Sequence, residues 1–309
     1  LMFFYGVGNH GGGPTKENIE SIKRLNEDPE FPNLVFSTPN KYFDDVRKKD
    51  LPFPVVHDDL QHHASGCYSV HSGIKKWNRE AENLLQAAEK FSSIAFWTTG
   101  QKYPDNYGLA WKNVLFNQFH DILAGTSLEV AYDDARNMHG EAMSIASKGL
   151  NYAVQSMSWK IDIEEEEGMK PIVVFNPHAW QSKVNIELEV GGLKDEFVLV
   201  DHKGTEVAVQ TVQSQATAGG RYRVSFIADL PALGYRVYKI RKKASEKEFN
   251  VLVASDTKLE NDSFHVEIDP ETGFVTSLFD KKEQVEVLAG SGIRPVVIND
   301  DSDTWSHNV

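Results

Sequence analysis

A multidomain α+β architecture is predicted by three features of the sequence. The spacing of apolar residues changes twice along the chain, a run of four glutamates marks the second change, and glycine-containing turns punctuate everything after it. Residues 1–65 alternate short apolar runs with helical signals, residues 66–160 repeat every three or four positions, and residues 161–309 repeat every two.

In the first region, Leu1-Met2-Phe3-Phe4-Tyr5-Gly6 reads as a strand entering a glycine turn. Pro14-Thr15 then opens a helix with Ile19, Ile22 and Leu25 on one face. Asn33–Ser37 reads as a short buried strand, Thr38-Pro39 opens a helix with Tyr42, Phe43 and Val46 inward, and Phe53–His57 reads as a further strand. Strand-helix-strand order predicts parallel pairing in an α/β sheet.

The second region predicts three helices with short connections, a three-helix bundle. The first carries Ile74, Trp77, Ala81, Leu84, Leu85, Ala88 and Phe91 on one face, with Arg79, Glu80, Glu82 and Lys90 on the other. Leu109, Val114, Leu115 and Phe119 form the stripe of the second. The third repeats Leu128, Ala131, Ala135, Met138, Ala142, Ile145, Leu150, Val154 and Met157. Gly125 is placed to break a helix, and Thr126 with Glu129 has the Thr-x-x-Glu form of a capping box. Glu164–Gly168 reads as a solvated linker. Beyond it Val184–Val190 and Tyr222–Ile227 alternate, and Gly191-Gly192, Lys203-Gly204, Gly219-Gly220 and Thr272-Gly273 supply turns, which predicts an antiparallel β-sandwich, truncated at its C-terminal end.

Composition narrows the function. The 309 residues carry a net charge of −13, and no basic stripe offsets it, which argues against a nucleic-acid partner. No apolar run approaches the roughly 20 residues that span a bilayer, so no membrane partner is expected. A single cysteine, Cys67, suits a reducing cytoplasm. Oligomeric state is left open, a homo-oligomer included. Both ends read as cut, and the expectation is a middle fragment of a longer enzyme.

The most informative stretch is Asn117-Gln118-Phe119-His120-Asp121-Ile122-Leu123-Ala124-Gly125-Thr126-Ser127, which sets an imidazole beside a carboxylate between two helices. From chemistry alone this is a pair that projects from a rigid helix end into a cleft, or a hydrogen-bonded pair closing that end. Gly8-Asn9-His10-Gly11-Gly12-Gly13 permits a tight turn, or a close backbone approach to a sugar ring faced by Asn9 and His10. It lacks the Gly-Lys-Ser/Thr ending of a P-loop, and no Gly-x-Ser-x-Gly elbow accompanies it as a serine hydrolase requires. His57, Asp58, Asp59, His62 and His63 look metal-like by count, yet their spacing suits a polar loop.

Tyr5–Thr15, Gly66–His71, Gln118–Thr126, Val174–Trp180 and Asp301–His307 occur in an order that resembles the retaining α-mannosidases of glycoside hydrolase family 38. The resemblance implies that residues 1–65 end the catalytic α/β barrel, 66–160 form the middle-domain bundle and 161–309 part of the sandwich. It implies hydrolysis of α-linked mannosides or oligosaccharides through a carboxylate nucleophile, a second acid/base and a catalytic zinc ion. His120 matches the zinc-binding histidine of the helical motif, and Asp121 a residue that accepts hydrogen bonds from sugar hydroxyls. The other ligands and the nucleophile find no match here, so the isolated fragment is expected to be inactive. Relatives carry Asp where Asn9 or His10 stands. Asn9 cannot donate a titratable proton, whereas His10 can, with a reference pKa of roughly 6.5. Asn9, His10, Asp303, Trp305 and His307 are therefore site candidates, Tyr68 and His71 candidates to line the cleft. A sandwich loop anchored by Trp305 is the alternative for 303–307, and a non-catalytic carbohydrate-binding module the alternative for the whole. A phosphorylated or glycerate-linked mannoside is a further option within the family.

Overall fold

A computed structural model describes residues 1–7, 12–58, 64–193, 196–215, 220–243, 249, 252–297, 299 and 303–305. It divides into two compact units, Leu1–Leu60 and Gln61–Val309.

The first unit contains α1 (Lys16–Glu27) and α2 (Pro39–Arg47). Thr15 caps α1 in a reciprocal box with Asn18, and Thr38 caps α2 ahead of Pro39, whose fixed φ suits the first helical turn. The strands expected at 1–5, 33–37 and 53–57 are not formed; these stretches carry no regular secondary structure. At Leu34 the physical reason is visible. The Asn26 side-chain amide donates to Leu34 O at 2.9 Å and its Oδ1 accepts from Leu34 N at 2.7 Å, occupying the groups a neighbouring strand would use. Val35 and Val55 are exposed, at 68% and 78%, so the apolar runs that suggested buried strands cover nothing.

The second unit opens with a 3-10 turn, Ser65–Tyr68, followed by α3 (Ser72–Thr99), α4 (Tyr107–Asn117), the single turn α5 (His120–Leu123) and α6 (Glu129–Ser158). Small side chains govern the packing of the long helices. Ala81, Ala88 and Ala95 recur every seven residues on α3, Ala135, Ala142 and Gly149 do so on α6, and all these alanines are fully buried. Such rows let two helices approach closely. Tyr107 of α4 fills the remaining space: a Cβ on Gly149 would lie 1.9 Å from its hydroxyl, which is hydrogen-bonded to Ser92 at 2.7 Å.

This packing shifts the phase expected for two helices. The buried row of α6 is Tyr132, Ala135, His139, Ala142, Ala146, Gly149, Ala153 and Met157, while Leu128 is exposed. On α4 the buried face is Tyr107, Ala110, Asn113, Val114 and Asn117, and Leu109, Leu115 and Phe119 face outward. The capping box at Thr126 is also absent, because α6 begins after Leu128, which makes no side-chain cap.

The β region comprises β1 (Lys170–Phe175), β2 (Ser182–Gly191), β3 (Phe197–Val200), β4 (Glu206–Val207), β5 (Val209–Val212), β6 (Arg221–Leu230) and β7 (Tyr235–Lys242). Then follow β8 (Val253–Ala254), β9 (Lys258–Glu260), β10 (Phe264–Ile268), β11 (Val275–Asp280) and β12 (Val285–Glu286). All named pairings are antiparallel, in sheets ordered β1-β7-β3-β4, β2-β6-β5 and β12-β11-β10-β9-β8. Leu199, Tyr238 and Ile240 of the first sheet share one core with Val224, Phe226 and Ala228 of the second.

Asn176 follows the residue of β1 that meets the helices. It is buried, its amide donates to the carbonyls of Trp180 at 2.8 Å and Pro231 at 2.9 Å, and the preceding Phe175 packs edge-on against Phe91 of α3 at 5.5 Å. The glutamate run is not wholly solvated either. Glu166 accepts from Lys239 at 3.0 Å and from Arg241 at 2.8 and 2.6 Å, tying the segment before β1 to β7.

The Arg241 and Lys239 hydrogen bonds hold the Glu166 carboxyl at about 2, below its ordinary 4.5. A carboxylate whose folded value is depressed adds stability that is fully present above its unfolded value and fades as pH falls through the folded one. Urea unfolding of Glu166→Gln should therefore fall below wild type above pH 4.5 and converge on it towards pH 2. The gap should be modest, as for other solvent-accessible ion pairs.

Candidate functional site

His120 and Asp121 occupy the first turn of α5, a helix too short to be stable alone. Its conformation comes from its neighbours. Upstream, Gln118 Nε2 donates to Asn78 Oδ1 at 3.0 Å and to Glu82 Oε1 at 2.8 Å, both on α3. Glu82 thus belongs to the contact face of α3 and not to its solvent face. Downstream, Lys75 Nζ donates to Val70 O at 2.7 Å, Leu123 O at 3.1 Å and Ala124 O at 3.3 Å. Burial pushes the Lys75 pKa down, partly offset by Cys67. From α6, Tyr132 donates to Ile122 O at 3.2 Å and accepts from Ser127 N at 2.9 Å. Gly125 makes this fit possible: its φ is +84°, and a Cβ would stand 2.5 Å from Val70 O.

The pair itself is left uncommitted by this scaffold. The His120 side chain is 78% exposed, lies against Phe119 at 4.3 Å between ring centroids, and its Nε2 is 3.6 Å from Asp121 Oδ1. That separation is longer than a hydrogen bond, so the pair does not close the helix end by bonding to itself. In kind, an imidazole nitrogen with an adjacent carboxylate suits zinc. In number it does not complete a site, because the described residues contain no cluster of three or more candidate ligands. Among the described residues the pair makes no complete metal site, and no chemical step follows from it.

A cavity of about 510 Å³ opens beside the same turn, lined among others by His71, Trp77, Gly125, Tyr132, Arg136 and Thr304. His71, one of the lining residues, caps α3 by accepting from Ile74 N at 3.2 Å and stacks on Tyr132 at 4.0 Å. Tyr68 is exposed. Thr304 brings its segment to the cavity wall, with Trp305 N bonded to Asp303 Oδ1 at 2.9 Å. Asn9, His10 and His307, and Asp59, His62 and His63 of the histidine-rich loop, lie outside the described residues. Lys75, Asn78 and Tyr132 escaped the sequence reading. The available signal was the spacing 75, 78, 82 of polar residues on a helix flanked by its own apolar face.

Comparison with known proteins accords with this arrangement. Residues 1–66 match the model of the glycosyl hydrolases family 38 N-terminal domain, and residues 62–157 that of the alpha mannosidase middle domain. The chain belongs to glycosyl hydrolase family 38. Among relatives of this family 38 chain, mouse (Mus musculus) alpha-mannosidase 2C1 is 30% identical over 58% of the chain and 17% of the relative. The Saccharomyces cerevisiae alpha-mannosidase is 30% identical over 65% of the chain and 20% of the relative. Human (Homo sapiens) lysosomal alpha-mannosidase is 23% identical over 82% and 28%. An alpha-mannosidase structure from Enterococcus faecalis V583 superposes with a TM-score of 0.58 at 20% identity, covering 89% of this chain and 36% of that one. The family 38 chain thus spans less than a third of the length of these curated relatives. Among the described residues no helix is long and apolar enough to cross a membrane.

Substituting Gly125 tests the local geometry. Gly125→Ala should cost about 1–2 kcal/mol for the left-handed backbone alone, with the contact on Val70 O added. Chemical denaturation reads the loss, and a neutral outcome would show that the turn and the 65–70 segment are not in contact.

Proposed function

We propose that this chain supplies the helical and β-sandwich portions of a zinc-dependent, retaining α-mannosidase, with residues 1–65 as the end of its catalytic barrel. The observation that carries the reading is His120: an exposed imidazole beside a carboxylate, on a one-turn helix pinned at both ends, inside the segment matched by the middle-domain model. An imidazole so presented is free to serve as one zinc ligand, with Asp121 accepting from a hydroxyl of the bound mannoside, a charge-assisted bond. Asn9, His10, Asp303, Trp305 and His307 are assigned to the sugar site, and His10 to proton transfer. Retention further requires two catalytic groups about 5 Å apart. The substrate is an α-linked mannoside or oligosaccharide. The acidic balance of −13 is the ground for excluding nucleic acid, and the lone Cys67 supports a cytoplasmic setting. A carbohydrate-binding module without catalysis is the second reading, favoured by the two sheets that share a core.

The decisive experiment pairs the isolated chain with the whole protein. The chain alone, purified free of host enzyme, should not hydrolyse an activated α-mannoside. The whole protein should do so, lose activity to a chelator, regain it with zinc, and lose at least about a hundredfold in kcat/KM as His120→Ala. Turnover by the chain alone contradicts the division of labour, and chelator-resistant turnover contradicts zinc. Sugar binding without any turnover selects the binding module.

A further inference from the structure

Lys75, Asn78 and Glu82 stand at i, i+3 and i+7 on α3, so they form one polar row along a helix whose adjoining face is apolar. The row is about 10 Å long at 1.5 Å per residue. Gln118 is fastened to Asn78 and Glu82, and the carbonyls of Leu123 and Ala124 to Lys75. The seven residues 118–124 are thereby held at both ends by one rigid element, while Tyr132 fixes Ile122 between them. His120 and Asp121 fall inside this span with both side chains exposed. α5 has no side-chain cap and fully buries no residue, so these hydrogen bonds act together with the packing of Ile122 and Leu123 against Ile74, Tyr132 and Ala135 to set its position.

We infer that the α3 row Lys75–Asn78–Glu82, with Tyr132 of α6, is the positioning element of the His120–Asp121 pair. It fixes the backbone that carries the pair and leaves both side chains to the ligand. The inference rests on the reading of His120 as a zinc ligand, and residues acting through a ligand's support typically alter metal affinity by 10–100-fold.

Two measurements test it. In the chain as it stands, Lys75→Met should speed amide hydrogen exchange at Ala124 and Gly125 about tenfold, the shift expected from one lost hydrogen bond, and Lys75→Arg should restore it. In the whole α-mannosidase, zinc affinity measured by chelator competition should fall about 10–100-fold for Lys75→Met and recover for Lys75→Arg. Tyr132→Phe, which removes one hydroxyl, should weaken zinc in the same direction and serves if Lys75→Met does not fold. Unchanged zinc affinity in His120→Ala would remove the ligand reading and this inference with it. Loss in His120→Ala with wild-type affinity in both Lys75→Met and Tyr132→Phe would overturn the positioning role alone. Equal loss in Lys75→Arg and Lys75→Met would likewise overturn it, since restoring the cation would then restore nothing.

Discussion

One ammonium group shared among three backbone carbonyls organises the turn that carries the candidate site. Lys75 reaches Val70, Leu123 and Ala124 at once because Gly125, lacking a side chain, lets two backbone segments meet. Three acceptors also compensate a cation that burial would otherwise disfavour, and the lowered pKa of Lys75 records that burial. The 65–70 segment and the end of α5 are thus tied to one point on α3. The rest of the bundle supports this point: the 28 residues of α3 carry both fastenings, and its buried alanine row packs against α6.

The His-Asp pair was legible in sequence because it is local. Adjacent residues between two helical patterns need no knowledge of tertiary contacts. The phase of α6 was legible only in part: the expected row included Ala135, Ala142 and Met157, which are buried, but also Leu128, Met138 and Ile145, whereas close helix packing buries Tyr132, His139, Ala146 and Gly149. Large residues then lie at the flanks, where there is room. The polar row on α3 was missed for a related reason. A lysine, an asparagine and a glutamate on an amphipathic helix resemble an ordinary wet face until the partner segment, some forty residues away, is in place. The apolar runs at 33–37 and 53–57 misled in the opposite sense. β-Branched residues suggested strands, but a strand needs a paired neighbour, and at Leu34 a side-chain amide has taken those hydrogen bonds.

In the β region the reading from alternation fared better, because β2 and β6 pair along ten residues each with a regular register. Two details lay beyond it. Asn176 acts as a buried joint, satisfying carbonyls from two loops beside the contact between Phe175 and Phe91. Glu166 is singled out from four consecutive glutamates by two basic residues on β7. Both are long-range choices that composition cannot express. Asn176 joins loops of the β region beside the Phe175–Phe91 contact with α3, and Glu166 ties the segment before β1 to β7.

All of this has functional meaning only if the imidazole at residue 120 meets a metal ion. Diffraction from the whole protein, recorded on either side of the zinc absorption edge, addresses that directly. The account requires an anomalous peak at about 2.0–2.1 Å from a ring nitrogen of His120. A zinc peak elsewhere in the molecule, with that ring still facing solvent, would contradict it.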